Sequence, residues 1–160
     1  MDLKKLTPGE MIIGVSGVLL LIFSFFKWYG ITVLSGTPFE DTVGYNGWQR
    51  PSAFLSIVAI LIGVVMAGHV IADKLAGVDM PERLGKVGWG VFYLAGGVIA
   101  FVFVLIKWVS NTDYTKFGIY VGLLTTLGLA IGGFLVAKER GHLAELTGGG
   151  GATPPPPPAA

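Results

Sequence analysis

Histidine, carboxylate and lysine side chains are the groups from which this sequence would have to build any chemistry, and it spaces them sparingly. There are two histidines: His69 at the inner end of an apolar run and His142 in the C-terminal tail. Both belong near the same membrane surface, so they do not supply paired axial ligands for a haem inside a bilayer. Glu40 and Asp41 are adjacent on a loop, where a carboxylate pair is expected to be solvated rather than to hold a cation. No HExxH zinc motif, GxxxxGK[ST] phosphate loop or convergent Ser-His-Asp set is present. With no cysteine there is no disulfide, thiolate ligand or cysteine nucleophile. No catalytic residue, metal site or cofactor is expected, and the protein is read as a non-enzyme.

Two basic-aromatic pairs remain. Lys27-Trp28 closes one apolar run and Lys107-Trp108 closes another, 80 positions later. A lysine can lay its methylenes along a helix and lift its ammonium toward headgroups, and an indole prefers the same interface. Lys27, Trp28, Lys107 and Trp108 are therefore expected to anchor the chain at the outer membrane surface, joined by Trp48. The sharper alternative is that Lys27 and Lys107 both point inward and converge on one anionic headgroup or ligand. The match extends backward, with Gly17, Val18 and Phe23 corresponding to Gly97, Val98 and Phe103. A duplicated helix hairpin related by an axis along the membrane normal would give this pattern.

The elements that must position these residues are long and apolar. Of 160 residues, 52% are hydrophobic and 13% charged, against about 25% charged in an ordinary soluble domain. Four apolar segments, at about residues 11–29, 52–72, 87–108 and 117–137, each carry roughly 20 residues, enough to cross a hydrocarbon core of about 30 Å. None has the polar stripe that a helix of a soluble bundle needs. The fold expected is all-α, a left-handed four-transmembrane-helix bundle over residues 1–137 with a cytoplasmic tail from 138 to 160. The first segment lacks a small-x-small cleavage site and is read as an uncleaved helix.

Lys and Arg near the span ends set the orientation. With the N-terminus inside, Lys4, Lys5, Lys74, Arg83, Lys86, Lys138 and Arg140 are cytoplasmic, and Lys27, Arg50, Lys107 and Lys116 are outside. That balance places both termini in the cytoplasm of a multi-pass cell-membrane protein. Net charge is +1 with no basic run, so no nucleic-acid partner is expected.

The fourth segment carries Gly118, Gly122, Gly128, Gly132 and Gly133 on an arc of roughly 140°, with Thr125 among them. Such a smooth face lets helices approach closely in lipid; packing inside the monomer is expected, with a homo-oligomer interface as the alternative. Thr125 and Thr126 are expected to bond back to carbonyls one turn earlier. In the outer loop, 30–51, two β-prone runs, Ile31–Leu34 and Thr42–Tyr45, predict a small hairpin on the bundle, with Asn46-Gly47 as a turn. The second loop, from Asp73 to Lys86, reads as a polar turn or interfacial helix. Past Lys138 the helix continues briefly toward Leu146, then Gly148 to Gly151 form a joint. Pro154, Pro155, Pro156, Pro157 and Pro158 adopt polyproline II, a rod that docks in aromatic grooves of partner modules.

FSFFKWYG ends the first segment, GYNGWQ precedes the second, and KFGIYVGLL and GLAIGG occupy the fourth. In these features the chain resembles small four-span membrane proteins of unknown function common in actinobacteria. It is more distantly similar to mycobacterial four-span antigenic membrane proteins with a Pro/Gly-rich cytoplasmic tail. The resemblance covers roughly residues 1–140 and implies a cell-envelope membrane protein with no established reaction. The function expected is that of a non-enzymatic accessory or scaffold protein whose tail engages a cytoplasmic partner. The alternative is a small-solute or lipid-handling channel or transport subunit, with the glycine face bordering an oligomeric pathway.

Overall fold

The structure, a computed structural model, describes residues 6–79, 81, 83, 84 and 87–146. The glycine joint and the prolines at 154–158 lie outside the described residues. Helix α1 (Pro8–Ser24) leads into an antiparallel hairpin, β1 (Lys27–Val33) and β2 (Asp41–Asn46), then helix α2 (Ala53–Lys74). Two-residue strands β3 (Arg83–Leu84) and β4 (Val87–Gly88) pair before helix α3 (Trp89–Val109). A 3-10 turn at Thr112–Tyr114, helix α4 (Phe117–Glu139) and a four-residue helix α5 (Leu143–Leu146) complete the order. The second loop thus closes with a short ladder rather than an interfacial helix.

The four long helices stand in a ring in which each packs on its sequence neighbours and α4 closes onto α1. Helices α2, α3 and α4 are long and apolar enough to cross a membrane, and α1 is a shorter apolar helix of 17 residues. The start of α1 and the end of α4 share one end of the ring, where Arg140 is paired with Glu10. The hairpin covers the other.

The largest departure from expectation is the end of the first segment, which stops being helical at Ser24 instead of running to Tyr29. Local sequence did not require this, since Phe25 and Phe26 continue the apolar run and no proline or glycine intervenes before Gly30. Tertiary bonds end the helix: the Ser24 carbonyl accepts from the Gly47 amide at 2.8 Å, and the Ser24 hydroxyl accepts from the Trp48 indole at 2.8 Å. With its last carbonyl taken by the hairpin, α1 cannot continue its own ladder. The other end is sharply specified. Thr7 and Glu10 form a capping box around Pro8, which satisfies two of the first free amides reciprocally.

The hairpin runs in register Tyr29↔Tyr45, Gly30↔Gly44, Ile31↔Val43, Thr32↔Thr42 and Val33↔Asp41, with an irregularity between Lys27 and Tyr29. That shift leaves Trp28 without a cross-strand partner, and a bulge of this kind re-aims a side chain. Trp28 and Tyr29, consecutive in sequence, are both buried. On its free edge β1 meets the chain entering α4, through a Tyr29↔Thr115 bridge and the Lys116 amide donating to the Trp28 carbonyl at 2.8 Å.

The glycine face of α4 is used up within the chain. Gly132 lies against Ile13 and the Gly9 carbonyl of α1, Gly128 against Ser16, and Gly133 against the Tyr93–Leu94 backbone of α3. Gly118 and Gly122 form a notch that receives the Trp28 indole. Thr125 and Thr126 bond back to the Val121 and Gly122 carbonyls at 2.9 and 2.8 Å. Of the positions matched between the first and third segments, Gly17 meets Gly63 and Ala67 of α2, and Gly97 meets Leu129 and Ala130 of α4.

A side chain at Gly97 would set its Cβ 2.6 Å from the Leu129 carbonyl, which is backbone and cannot swing aside. Gly97→Val is therefore expected to destabilise the bundle by about 1–3 kcal/mol, read as a lowered unfolding temperature in detergent. Gly14→Val, where nothing lies within 4 Å, is the control and should change stability by less than about 0.5 kcal/mol.

Candidate functional site

The two lysine-tryptophan pairs separate into opposite roles. In the first, Trp28 is buried and Lys27 exposed; in the second, Lys107 is buried and Trp108 half-buried. Neither Trp28 nor Lys107, both 0% exposed, reaches the surface, so neither is a membrane-surface anchor. The reason is positional. Lys107 lies on the face of α3 that carries Gly97, Ala100 and Val104 inward, and Trp28 sits on the bulged start of β1.

The inner members of the two pairs meet. The Lys107 amine lies 5.4 Å from the Trp28 ring centroid and 5.7 Å from that of Tyr29. It donates to the Ser56 hydroxyl at 2.6 Å and to the Gln49 carbonyl at 3.3 Å. Ser56 is on the first turns of α2 and Gln49 on the chain leaving β2, so one amine gathers α2, α3 and the hairpin. Among the described residues no carboxylate lies within 4.0 Å of it. Aromatic faces and neutral oxygens take the place of a counter-ion, an arrangement in which the ring quadrupoles are worth more for being desolvated. The Lys107 carbonyl is held in turn, accepting from the Tyr29 hydroxyl at 2.9 Å and the Asn111 amide at 3.2 Å. Burial pushes the Tyr29 phenol well above its usual range, which keeps it a neutral donor.

Trp28 is fixed by its own indole N–H, which donates to the Phe23 carbonyl at 2.9 Å. Trp48 is half-buried and spends its N–H on Ser24 rather than on headgroups. Trp108 packs edge-on to Tyr120 at 6.4 Å and is half-exposed, and Lys27 is exposed beside Thr42. Lys27 and Lys107 therefore do not converge.

The opposite end holds a second polar group. His69 stacks on Trp89 at 3.8 Å, its Nδ1 is hydrogen-bonded to the Tyr93 hydroxyl, and its Nε2 is buried without a partner. These rings close the end of an apolar groove of about 340 Å³ between α2 and α3, floored by Ile62, Met66 and Gly96. His142 comes back to the bundle as well. Helix α4 ends in a Schellman motif at Gly141 (φ 70°), with the His142 amide donating to the Ala137 carbonyl at 2.8 Å and the Gly141 amide to that of Lys138 at 3.2 Å. This turn places the imidazole over Gly88 and Gly90, where its Nδ1 accepts from the Gly90 amide at 3.2 Å. Among the described residues, no three His, Cys, Asp or Glu side chains cluster in a way that would hold a metal ion.

Sequence reasoning assigned Glu10 no role and Arg140 only that of a basic residue on the cytoplasmic side, although Thr7-Pro8-Gly9-Glu10 carries the pattern of a capping box. Glu10 is nearly fully buried, and besides capping α1 it pairs with Arg140 and ties the first helix to the last. The burial of Lys107 had no comparable signature, because a lysine beside a tryptophan at a span end reads the same whichever way it faces. No family model matches this chain, and no curated protein or solved structure matches it.

Ser56→Ala removes the closest oxygen from a buried amine and is expected to cost about 1–3 kcal/mol. In a Lys107→Met background, where the chain length is kept and the donor is gone, the same substitution should cost far less. A double-mutant cycle of thermal unfolding in detergent reads the difference, and equal costs in both backgrounds would mean that the 2.6 Å bond contributes nothing.

Proposed function

We propose that this chain is a non-enzymatic accessory or scaffold protein of the cell membrane, a sealed bundle that carries recognition elements at its two ends. The observation that carries this reading is the use of the interior. Ile13, Leu20, Ile60, Leu129 and Val104 fill the middle of the ring, and Trp28, Tyr29 and Lys107 stop one end under the hairpin. A conduit through one copy would need that space. An oligomeric conduit bordered by the glycine face of α4 would need glycines that are already pressed against α1, α3 and Trp28. The rival reading as a channel or transport subunit loses its best surface.

In this reading both chain ends are cytoplasmic and the hairpin is outside, following the bias of basic residues named above. The shared end of α1 and α4 supports the even number of crossings this requires. The resemblance to actinobacterial four-span proteins supports a bacterial envelope setting, and the proline segment at 154–158 serves as the tether for a cytoplasmic partner.

Two experiments test the proposal. Proteoliposomes of the full chain should leak potassium or a small dye no faster than empty liposomes, and solute flux above that level would overturn it. Because the chain has no cysteine, single replacements report sidedness cleanly. Ser35→Cys, at the hairpin tip, should react with an impermeant maleimide in intact cells, and Ala76→Cys, in the second loop, only after permeabilisation; the reverse pattern would invert the orientation.

A further inference from the structure

The outward-facing members of the site have a use of their own. Lys27 does not meet Lys107, but it shares a cavity of about 680 Å³ with Lys116, at the level where α1 ends and α4 begins. Both lysines lie flat on the hairpin. A Cβ on Gly44 would come within 2.8 Å of the Lys27 Cγ, and one on Gly30 within 2.9 Å of the Lys116 Cε. Gly30 and Gly44 are partners in the hairpin register, so this glycine pair is a bare trough that seats two lysine stems side by side.

The charge there is uncompensated. Among the described residues neither Lys27 nor Lys116 is within 4.0 Å of a carboxylate. The Lys27 ammonium has one long bond, 3.4 Å to the Thr42 carbonyl. Glu40 turns away to accept from the Gly36 amide at 2.9 Å, and Asp41 stands opposite Val33 toward the hairpin tip. The amino terminus of α4, which Lys116 precedes, adds the positive end of a 23-residue helix. Phe25, Phe26 and Phe117 line the rest of the cavity and are exposed. The chemistry is therefore divided between two cations beside a helix terminus and three exposed aromatic rings; with helices long and apolar enough to cross a bilayer ending here, the cavity would lie near headgroup level.

We propose that this cavity binds an anionic phospholipid, its phosphate between Lys27 and Lys116 and its upper acyl chain across Phe25, Phe26 and Phe117. A lone phosphate would use the lysines but leave the rings bare, and a zwitterionic lipid would bring its own cation against them. The proposal depends on the membrane placement of the bundle, not on its orientation or on the scaffold role, so its failure leaves those standing.

Protein stripped of lipid in detergent is titrated with phosphatidylglycerol, phosphatidylcholine or inorganic phosphate, and retained ligand is read by native mass spectrometry. Wild type should retain phosphatidylglycerol in preference to phosphatidylcholine. Lys27→Gln and Lys116→Gln should each weaken that retention about five-fold, and the double variant about thirty-fold. Lys74→Gln with Lys138→Gln makes the same charge change at the other end and should leave retention unchanged. Unaltered retention by the Lys27/Lys116 double variant, equal loss in the Lys74/Lys138 pair, or equal retention of phosphatidylcholine would overturn the proposal. Displacement of the lipid by an equal concentration of inorganic phosphate would overturn it in favour of a free-anion site. If the double variant fails to keep its fold, salt decides with wild type alone: retention should fall as ionic strength rises, and salt-insensitive retention would overturn the charged site.

Discussion

An amine buried in an apolar helical bundle without a carboxylate beside it has to be met by whatever polar and aromatic groups can be brought to it, because an unpaired charge or donor in that setting costs several kcal/mol. Much of the hairpin end of this protein follows from meeting that demand at Lys107. Ser56 and the Gln49 carbonyl supply oxygens, Trp28 and Tyr29 supply ring faces, and all four come from parts of the chain far from α3 in sequence. To deliver the rings, the chain leaves α1 five residues earlier than its hydropathy allows and bulges at Trp28. To hold the indole, α4 opens a notch at Gly118 and Gly122. The short first helix, the irregular register and two of the α4 glycines are thus parts of one arrangement.

How much of this could be read in advance depended on whether a pattern had one physical meaning or two. Long apolar runs have one in a chain this poor in charge, so α2, α3 and α4 lie close to where hydropathy puts them, at Ala53–Lys74, Trp89–Val109 and Phe117–Glu139. The β-prone runs between Ile31 and Tyr45 likewise form the hairpin they imply. A lysine next to a tryptophan at the end of a span has two meanings. The residues do not say whether the amine or the indole faces the interior, and the pairs at 27–28 and 107–108 resolve in opposite senses. The end of α1 was illegible for a related reason: it is set by Gly47 and Trp48, more than twenty residues downstream. Thr7 and Glu10 carry a helix-start signal that a reading by hydropathy alone, from about residue 11, passes over. The last helix, expected to continue from Lys138 toward Leu146, instead ends at Glu139 because Gly141 turns the chain and brings His142 back to α3.

The two ends of the bundle solve the same problem with different means. At the hairpin end an amine is satisfied by neutral partners, whereas at the other end Glu10 and Arg140, 130 positions apart, are a true ion pair. The pair sits where α1 and α4 meet the rim, with the Arg140 side chain 26% exposed, so water shares the cost of keeping it charged. Between the ends the helices come closest at glycines, as where Gly17 meets Gly63 and Ala67 or Gly132 meets Gly9, small residues that let backbones pack closely.

The layout around Lys107 has a bearing on the order of assembly. A chain made and inserted from its N-terminus completes Trp28, Tyr29, Gln49 and Ser56 before residue 107 emerges from the ribosome. Every acceptor for the amine is therefore synthesised before the third helix is complete. The indole that covers it is in the reverse position, since the notch at Gly118 and Gly122 is made last. The last part of the hairpin end to be synthesised is thus the notch in the final helix. Until α4 is laid against α1 and α3, the tryptophan that closes the lysine chamber has no seat.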